Sequence, residues 1–328
     1  MSISIGSLVL STPVIVAPMS GVTDRPFRRL ARRLGAPLVV SEMVASAAML
    51  REVRDEVRKA EIDADDAPAV VQLAGWDPAV MAETARLSAD RGAAVIDINM
   101  GCPAKKVVNK LAGSALMRDE ALAGRILDAV VAAVAVPVTL KMRLGWDDGS
   151  RNAVTLARIA ERAGVQLLTV HGRTRCQMYT GTADWTAIRA VKQAVSLPVI
   201  ANGDITTVEN AQLCLELSNA DGVMIGRGCY GRPWFPRQVA AYLAGGTRLP
   251  DPSIGARKAI LVEHLDAMLS HYGIQAGLRN ARKHIGWYSQ GLPDSAGFRQ
   301  AANNTLEPQA VFQAIEAFFN PLIERRAA

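Results

Sequence analysis

Short runs dominated by Val, Ile and Leu recur along the chain, separated by longer stretches rich in Ala, Arg and Glu. Eight runs stand out: Val14–Met19, Leu38–Met43, Ala69–Ala74, Val95–Asn99, Val138–Met142, Leu167–Val170, Val199–Ala201 and Gly222–Ile225. Nearly continuous apolar runs of this length suit parallel strands buried on both faces. Between them, Ala79–Asp90, Leu122–Ala133, Ala153–Ala163, Ala187–Ala194 and Val208–Leu217 suit amphipathic helices. Strand–helix alternation eight times over predicts an α/β fold, a (β/α)8 TIM barrel. A doubly wound open sheet is the rival. The lack of GxGxxG after the first run counts against its dinucleotide-binding form.

After Tyr242 the pattern changes. Ala244–Pro252 is a Gly/Pro linker, and from Ile254 to Ala328 the periodicity is helical throughout. Three or four helices are expected there, with breaks near Gly273, Gly291–Pro293 and Pro308. The expected division is a catalytic barrel over 1–245 and a small α-helical bundle over 246–328. Residues 1–20 read as a strand, because they lack the cationic start of a signal peptide and Pro13 interrupts them. No run approaches the roughly 18 apolar residues of a membrane span.

Composition narrows the class. Of 328 residues, 50% are apolar and 21% charged, so the chain has the means for a large core and disorder is not expected. Cys102, Cys176, Cys214 and Cys229 are irregularly spaced and share no metal-ligand spacing with His171, His264, His271 and His284. Neither a disulfide framework nor a metal site is expected, and a reducing, cytoplasmic compartment fits. The net charge of +6 is a mild hint of a polyanionic partner. Oligomeric state is unreadable from the pattern, with a monomer as the default.

Candidate chemistry gathers where the runs end, the face on which barrels of this kind carry their sites. Asp97-Ile98-Asn99-Met100-Gly101-Cys102-Pro103-Ala104-Lys105-Lys106 brings a thiol to a strand end. Gly101 permits a sharp turn or a close ligand approach. Lys105 and Lys106 stand close enough in sequence to lower the thiol's pKa. Gln72, Lys141 and His171 end other runs, although burying an unpaired polar group costs about 1–3 kcal/mol. Convergence on a polar ligand offsets that cost. Asn202-Gly203-Asp204 and Gly226-Arg227-Gly228 follow the seventh and eighth runs, the usual phosphate cradle of the fold. Lys141 suits negative charge on a reduced flavin, and Gln72 suits the imide edge of such a ring.

Together, Ala17-Pro18-Met19, Asn99 to Pro103, Lys141-Met142-Arg143, Val170 to Thr174, Ile200 to Asp204 and Ile225-Gly226-Arg227 resemble the tRNA-dihydrouridine synthase family over nearly the whole chain. Pro103 to Val107, Ala281 to His284 and Trp287-Tyr288 look closest to its bacterial B-type branch. The resemblance implies FMN bound in the barrel, NADPH as reductant and uridines of the tRNA D-loop as substrate. It implies hydride transfer from FMN N5 to uracil C6 and a proton from Cys102 to C5. Pro18, Met19 and Ser20 would line the flavin. Gln72 and Lys141 would bind its ring. Asn202, Gly203, Asp204, Gly226 and Arg227 would hold its phosphate side. His171 would contact phosphate or substrate. Asn99 and Arg173 are candidates for orienting the uracil.

RNA binding requires a positive surface around the mouth. Three sources are expected: Arg25, Arg28, Arg29, Arg32 and Arg33 after the first strand; Lys105, Lys106 and Lys110; and Arg279, Arg282, Lys283 and His284. Trp287 and Tyr288 are candidates for base stacking, with core packing expected of at least one. An oxidoreductase of free pyrimidines and a non-enzymatic RNA-binding barrel are the competing readings.

Overall fold

A computed structural model of the chain describes residues 2–62 and 67–327. An N-terminal hairpin, β1 (Ile3–Ile5) and β2 (Leu8–Leu10), precedes β3 (Val14–Val16), α1 (Arg25–Arg33), β4 (Leu38–Ala45), α2 (Ser46–Met49), α3 (Arg54–Lys59) and β5 (Val70–Ala74). There follow α4 (Pro78–Asp90), β6 (Val95–Met100), α5 (Lys105–Val108), α6 (Glu120–Ala133), β7 (Val138–Arg143) and α7 (Ala153–Ala163). The barrel ends with β8 (Leu167–His171), α8 (Trp185–Ala194), β9 (Val199–Asn202), α9 (Val208–Ser218), β10 (Gly222–Ile225) and α10 (Phe235–Gly245). Strands β3 to β10 close a parallel barrel, β10 pairing with β3. All eight predicted runs are strands of it.

Capping starts the outer helices. Asp24 accepts from Phe27 N at 3.0 Å, Asp77 from Val80 N at 3.0 Å, and Asp119 from Leu122 N at 2.9 Å. Each satisfies an amide that the helix itself cannot. Pro26 and Pro78 occupy first turns, where a missing N–H costs nothing.

The barrel interior is sorted by height. Ile15, Leu38, Val40, Val70, Val95, Leu167, Ile200 and Met224 form an apolar lower layer. Further along the same strands, at the two-residue period of inward positions, stand Gln72, Asp97, Asn99, Thr139, Lys141, Thr169, His171 and Asn202. The pairings Gln72↔Asp97, Asp97↔Thr139, Asn99↔Lys141 and His171↔Asn202 set them side by side. The change from apolar to polar along each strand makes one end a floor and the other a site.

Residues 1–20 depart from the single expected strand. Gly6, at φ +60°, turns the chain into the β1–β2 hairpin. Ile3, Ile5 and Leu10 pack against the apolar layer and close the lower end of the barrel.

Beyond α10 lie α11 (Ile254–Tyr272), α12 (Ile274–Tyr288), α13 (Ser295–Asn303) and α14 (Pro308–Ala327), with breaks at the expected glycines and prolines. Their core recruits Leu30 from α1 and Trp234 from the start of α10, so the bundle is fused to the barrel wall. His264 and His284, 1% and 2% exposed, pack on Phe27 of α1. Tyr272 Oη donates to Asp24 at 2.9 Å, and Arg33 pairs with Glu263. Trp287 stacks on Tyr230 with centroids 3.9 Å apart.

This fusion corrects the expectation of a basic face on α1. Arg28 is buried and donates to the carbonyls of Thr23 and Glu61. Arg32 donates to the carbonyls of Ala36, Pro37 and Ala67. Arg25 pairs with Glu61. These arginines tie α1 to its surroundings. His284 likewise leaves the bundle's basic cluster, because it is core.

Among the described residues, no helix is long and apolar enough to cross a membrane, and no group of three or more His, Cys, Asp or Glu has metal-binding geometry.

Candidate active site

The strand ends surround a cavity of about 620 Å³, a volume typical of cofactor and ligand sites. A cleft of about 830 Å³ between α1 and α11 lies on the outer wall, away from the convergent strand ends. Gln72, Asn99, Lys141, His171 and Asn202 line the mouth cavity together, as do Pro18, Met19, Ser20, Gly203, Asp204, Gly226 and Arg227.

Cys102 lies on the loop after β6, half-buried at the cavity wall. Asn99 Oδ1 accepts from Gly101 N at 3.1 Å and from Cys102 N at 2.9 Å. Cys102 O accepts from Ser114 N at 3.1 Å and Ser114 Oγ at 2.9 Å. Arg143 Nε donates to Gly101 O at 2.8 Å. Burial pushes the thiol up from its ordinary value, against the opposing pull of the Ala104 amide, Arg143, Lys106 and Lys141. Lys106 lowers the thiol's pKa as expected, but burial outweighs it, and the environment favours the neutral thiol. Gly101 lines the cavity and is not confined by the protein around it. A Cβ there would meet nothing nearer than 3.5 Å. The tight glycine is Gly113, at φ +61°, where a Cβ would sit 2.8 Å from Cys102 O.

Lys141 Nζ donates to Asn202 Oδ1 at 3.1 Å, and Asn202 Nδ2 to Met224 O at 2.8 Å. Burial and then Arg143 push Lys141 down to about 8, with Asp97 and Cys102 pulling the other way. His171 is held well below its ordinary value by burial and by Arg143, Lys141, Arg173 and Arg227. Arg173 Nη1 lies 3.4 Å from His171 Nε2. A guanidinium only donates, so Nε2 accepts and Nδ1 carries the proton.

Arg173 itself is 1% exposed. It donates to Asp204 Oδ1 at 2.9 Å and Oδ2 at 2.5 Å, and to the carbonyls of Thr180 and Gly181. Its donors are engaged in the loops after β8 and β9, and it is absent from the cavity lining. The expectation that Arg173 orients substrate gives way to a role in holding those loops. Asp204 also accepts from Ala183 N at 2.7 Å and from Arg227 Nη2 at 3.1 Å. Burial opposes its ionisation, but Arg173, the Ala183 amide and Arg227 hold its carboxyl below the usual value. Gly203, at φ +124°, is required: a Cβ would sit 2.7 Å from Ala183 Cβ. At Gly226 a Cβ would make only ordinary contacts, with Met19 Sδ at 3.7 Å, on the cavity wall beside the half-exposed Arg227.

Of the remaining predicted residues, Lys106 reaches the cavity wall and Lys105 is exposed outside it. On α12, Arg279 is exposed and Arg282 half-buried, both away from the cavity. Lys283 reaches the mouth loop, its Nζ 2.9 Å from where a Gly21 Cβ would stand. Tyr288 is core, while Trp287 meets Tyr230 at the cavity wall. Sequence reasoning missed Tyr179, which lines the cavity with Arg227 4.9 Å over its ring. It lies in an irregular loop with no periodicity to reveal it. Asp97 was also missed as a functional residue, although the alternation Val95, Asp97, Asn99 was there to show that it faces inward.

Sequence and structure comparisons agree with this architecture. The sequence model of the family described as "Dihydrouridine synthase (Dus)" matches residues 15–322. A protein of Rickettsia bellii named "Probable tRNA-dihydrouridine synthase" is 57% identical over 324 residues, covering 98% of this chain and 99% of its own. The "tRNA-dihydrouridine synthase B" of Pseudomonas aeruginosa is 51% identical over 317 residues, covering 97% and 96%. Among solved structures, histamine dehydrogenase from Rhizobium sp. 4-9 matches with TM-score 0.54 at 14% identity, over 81% of this chain and 50% of that one. A 2-naphthoyl-CoA reductase matches with TM-score 0.53 at 13% identity, over 73% and 51%. This chain thus spans about half the length of each, and at such identity they speak for the barrel fold alone. With a family match across nearly its whole length and relatives above half identity, the chain belongs to the dihydrouridine synthase family.

Proposed function

We propose that this chain reduces the C5=C6 bond of uridines in the tRNA D-loop to 5,6-dihydrouridine, with FMN in the mouth cavity and NADPH as the reductant. The observation that carries the reading is a thiol kept neutral by burial at the wall of a polar-floored cavity, in a chain of this family. A proton donor must hold its proton at working pH, and Cys102 meets that condition.

The residues present fit FMN. The cavity has the volume for a mononucleotide. Gly226 lines the cavity beside Arg227, whose guanidinium suits a phosphate. Lys141 offers a cation at the floor and Gln72 an amide. When bound and reduced by NADPH, FMN supplies hydride to uracil C6. The chain's own part is then to bring Cys102 Sγ to the opposite face of the ring and deliver its proton to C5. Asn99, which lines the cavity and fixes the cysteine loop, can exchange the weak contact of its amide with Met43 Sδ at 3.8 Å for a bond to a uracil carbonyl. Lys141 offsets negative charge beneath the ring. Pro18, Met19 and Ser20 line the flavin, and His171, neutral, contacts phosphate or substrate.

The uracil has to leave its stack to enter the cavity, at a cost of a few kcal/mol that is smallest in a loop. In this reading the bundle, residues 246–328, serves as the tRNA-binding domain, with Lys283 at the mouth loop, Arg279 and Arg282 farther along α12, and Lys105 and Lys106 after the cysteine. The test is incubation of purified protein with FMN, NADPH and tRNA from dihydrouridine-deficient cells, followed by mapping of the product. Dihydrouridine in the D-loop supports the proposal. Reduction of free uridine or orotate at a rate equal to that on tRNA replaces it with a small-pyrimidine oxidoreductase.

A further inference from the structure

Beneath the cysteine loop runs a chain of side-chain hydrogen bonds from the centre of the barrel. Thr139 Oγ1 donates to Asp97 Oδ1 at 2.6 Å, and Gln72 Nε2 donates to Asp97 Oδ2 at 2.6 Å. Asn99 Nδ2 donates to Gln72 Oε1 at 2.7 Å. Asn99 Oδ1 then accepts the amides of Gly101 and Cys102. Every link joins inward-facing positions of β5, β6 and β7, with Gln72 paired in register to Asp97 and Asp97 to Thr139.

The polarity of this chain is fixed from its far end. Backbone N–H groups only donate, so Asn99 must turn its oxygen to the cysteine loop and its NH2 to Gln72. Gln72 must then present oxygen to Asn99 and NH2 to Asp97. The last position must accept. A carboxylate is acceptor-only, and Asp97, 3% exposed, stands there. An apolar residue would be cheaper to bury. A carboxylate locks both amides in one orientation.

We infer that Asp97 is a positioning residue for Cys102, setting the thiol's loop through Gln72 and Asn99. Both of its oxygens bond to neutral donors, whereas the Lys141 ammonium bonds to Asn202. Asp97 therefore acts on the loop by hydrogen-bond direction, not as the bonded counterion of Lys141. The inference rests on the proposed role of Cys102, but the chain can be tested apart from that role.

The experiment uses the full-length protein in a Cys176→Ser background, because Cys176 is the exposed competing thiol while Cys214 and Cys229 are buried. Two readouts are taken: the rate of Cys102 alkylation by iodoacetamide, mapped by mass spectrometry, and single-turnover dihydrouridine formation with FMN reduction by NADPH followed separately. Asp97→Leu removes the acceptor. It is expected to speed alkylation several-fold and to slow dihydrouridine formation by about 100-fold, the scale for misplacement of a reacting group by roughly 1 Å. FMN reduction should persist. Asp97→Asn keeps an accepting oxygen toward Gln72 while its NH2 faces Thr139 Oγ1, and should restore both readouts.

The decisive pair is Gln72→Glu against Gln72→Glu/Asp97→Asn. The single variant sets two acceptors against each other. The double variant reverses the donor at that link and completes the chain again, while any effect of the introduced carboxylate on the flavin is common to both. Rescue of the alkylation rate in the double variant supports the inference. Equal alkylation in the pair overturns it, as does an Asp97→Leu protein that loses FMN and leaves the thiol as reactive as in wild type. Should Asp97→Leu not fold, the Gln72 pair decides. Should wild-type protein form no dihydrouridine, the proposed function fails, and alkylation still reports on the chain.

Discussion

Asp204→Ala should destabilise the fold by more than its position on a half-open loop suggests. Asp204 accepts two hydrogen bonds from Arg173, at 2.9 and 2.5 Å, and one from Ala183 N at 2.7 Å. Arg173 is 1% exposed, so its charge has no water to turn to. Hydrogen bonds to charged groups contribute about 1.5–3 kcal/mol each, and breaking a buried pair from one side costs about 3–5 kcal/mol. The Asp204 side chain is 28% exposed, and solvent screens that end of the pair. The low end of the range, about 3 kcal/mol, is expected. Asp204 also sits at φ +55°, where alanine is less at ease than aspartate, which adds to the loss. In thermal unfolding at neutral pH, this corresponds to a fall in Tm of roughly 4 °C for a chain of 328 residues. The pH dependence has a fixed sign. The carboxyl is held below its ordinary value in the folded protein, so its contribution is complete above the ordinary carboxyl range. That contribution fades as pH falls through the folded value. The gap between wild type and variant should thus narrow below about pH 4. A variant within about 0.5 kcal/mol of wild type at neutral pH would refute the reasoning.

Lys141→Met should weaken FMN binding and remove a falling limb in its pH dependence. With the ammonium held down to about 8, the wild-type affinity should decline as pH rises past that value, and fluorescence titration of FMN would reveal it. Arg227→Ala should shed FMN on dialysis with little loss of stability, since the guanidinium is 46% exposed; full flavin occupancy afterwards would place the phosphate elsewhere. Gly231→Ala should cost about 1–3 kcal/mol, because its φ is +63° and a Cβ would run into the Trp287 backbone. It should also loosen the seam between barrel and bundle, seen as altered Trp287 fluorescence and weaker tRNA binding.

The parts of this protein that a sequence reveals are those whose cause is local or periodic. Eight strands were visible because parallel strands buried on both faces must be Val-, Ile- and Leu-rich. Gln72 and Lys141 were visible because each is a polar residue placed where an apolar run ends. The β1–β2 hairpin was not visible: two three-residue strands carry too few positions to establish an alternation. The pairing of Arg173 with Asp204 joins loops 31 residues apart, and only the closed barrel brings them together. The α1 arginines read as a basic surface because helical spacing says nothing of what packs against a face. Folding sets α11 on one side of that helix and backbone carbonyls on another. Cys102 was legible as a residue, and a proton donor had to keep its proton, but what keeps it was not. Lys106 follows it in sequence and pulls its pKa down, yet burial outweighs that pull.

Dihydrouridine formation by Cys102→Ala, compared with wild type on the same tRNA with FMN and NADPH, tests the central claim most directly. The account predicts that the variant retains FMN, reduces it with NADPH at the wild-type rate, and loses most dihydrouridine formation. Undiminished product from Cys102→Ala would contradict it and move the proton donor to another group in the cavity.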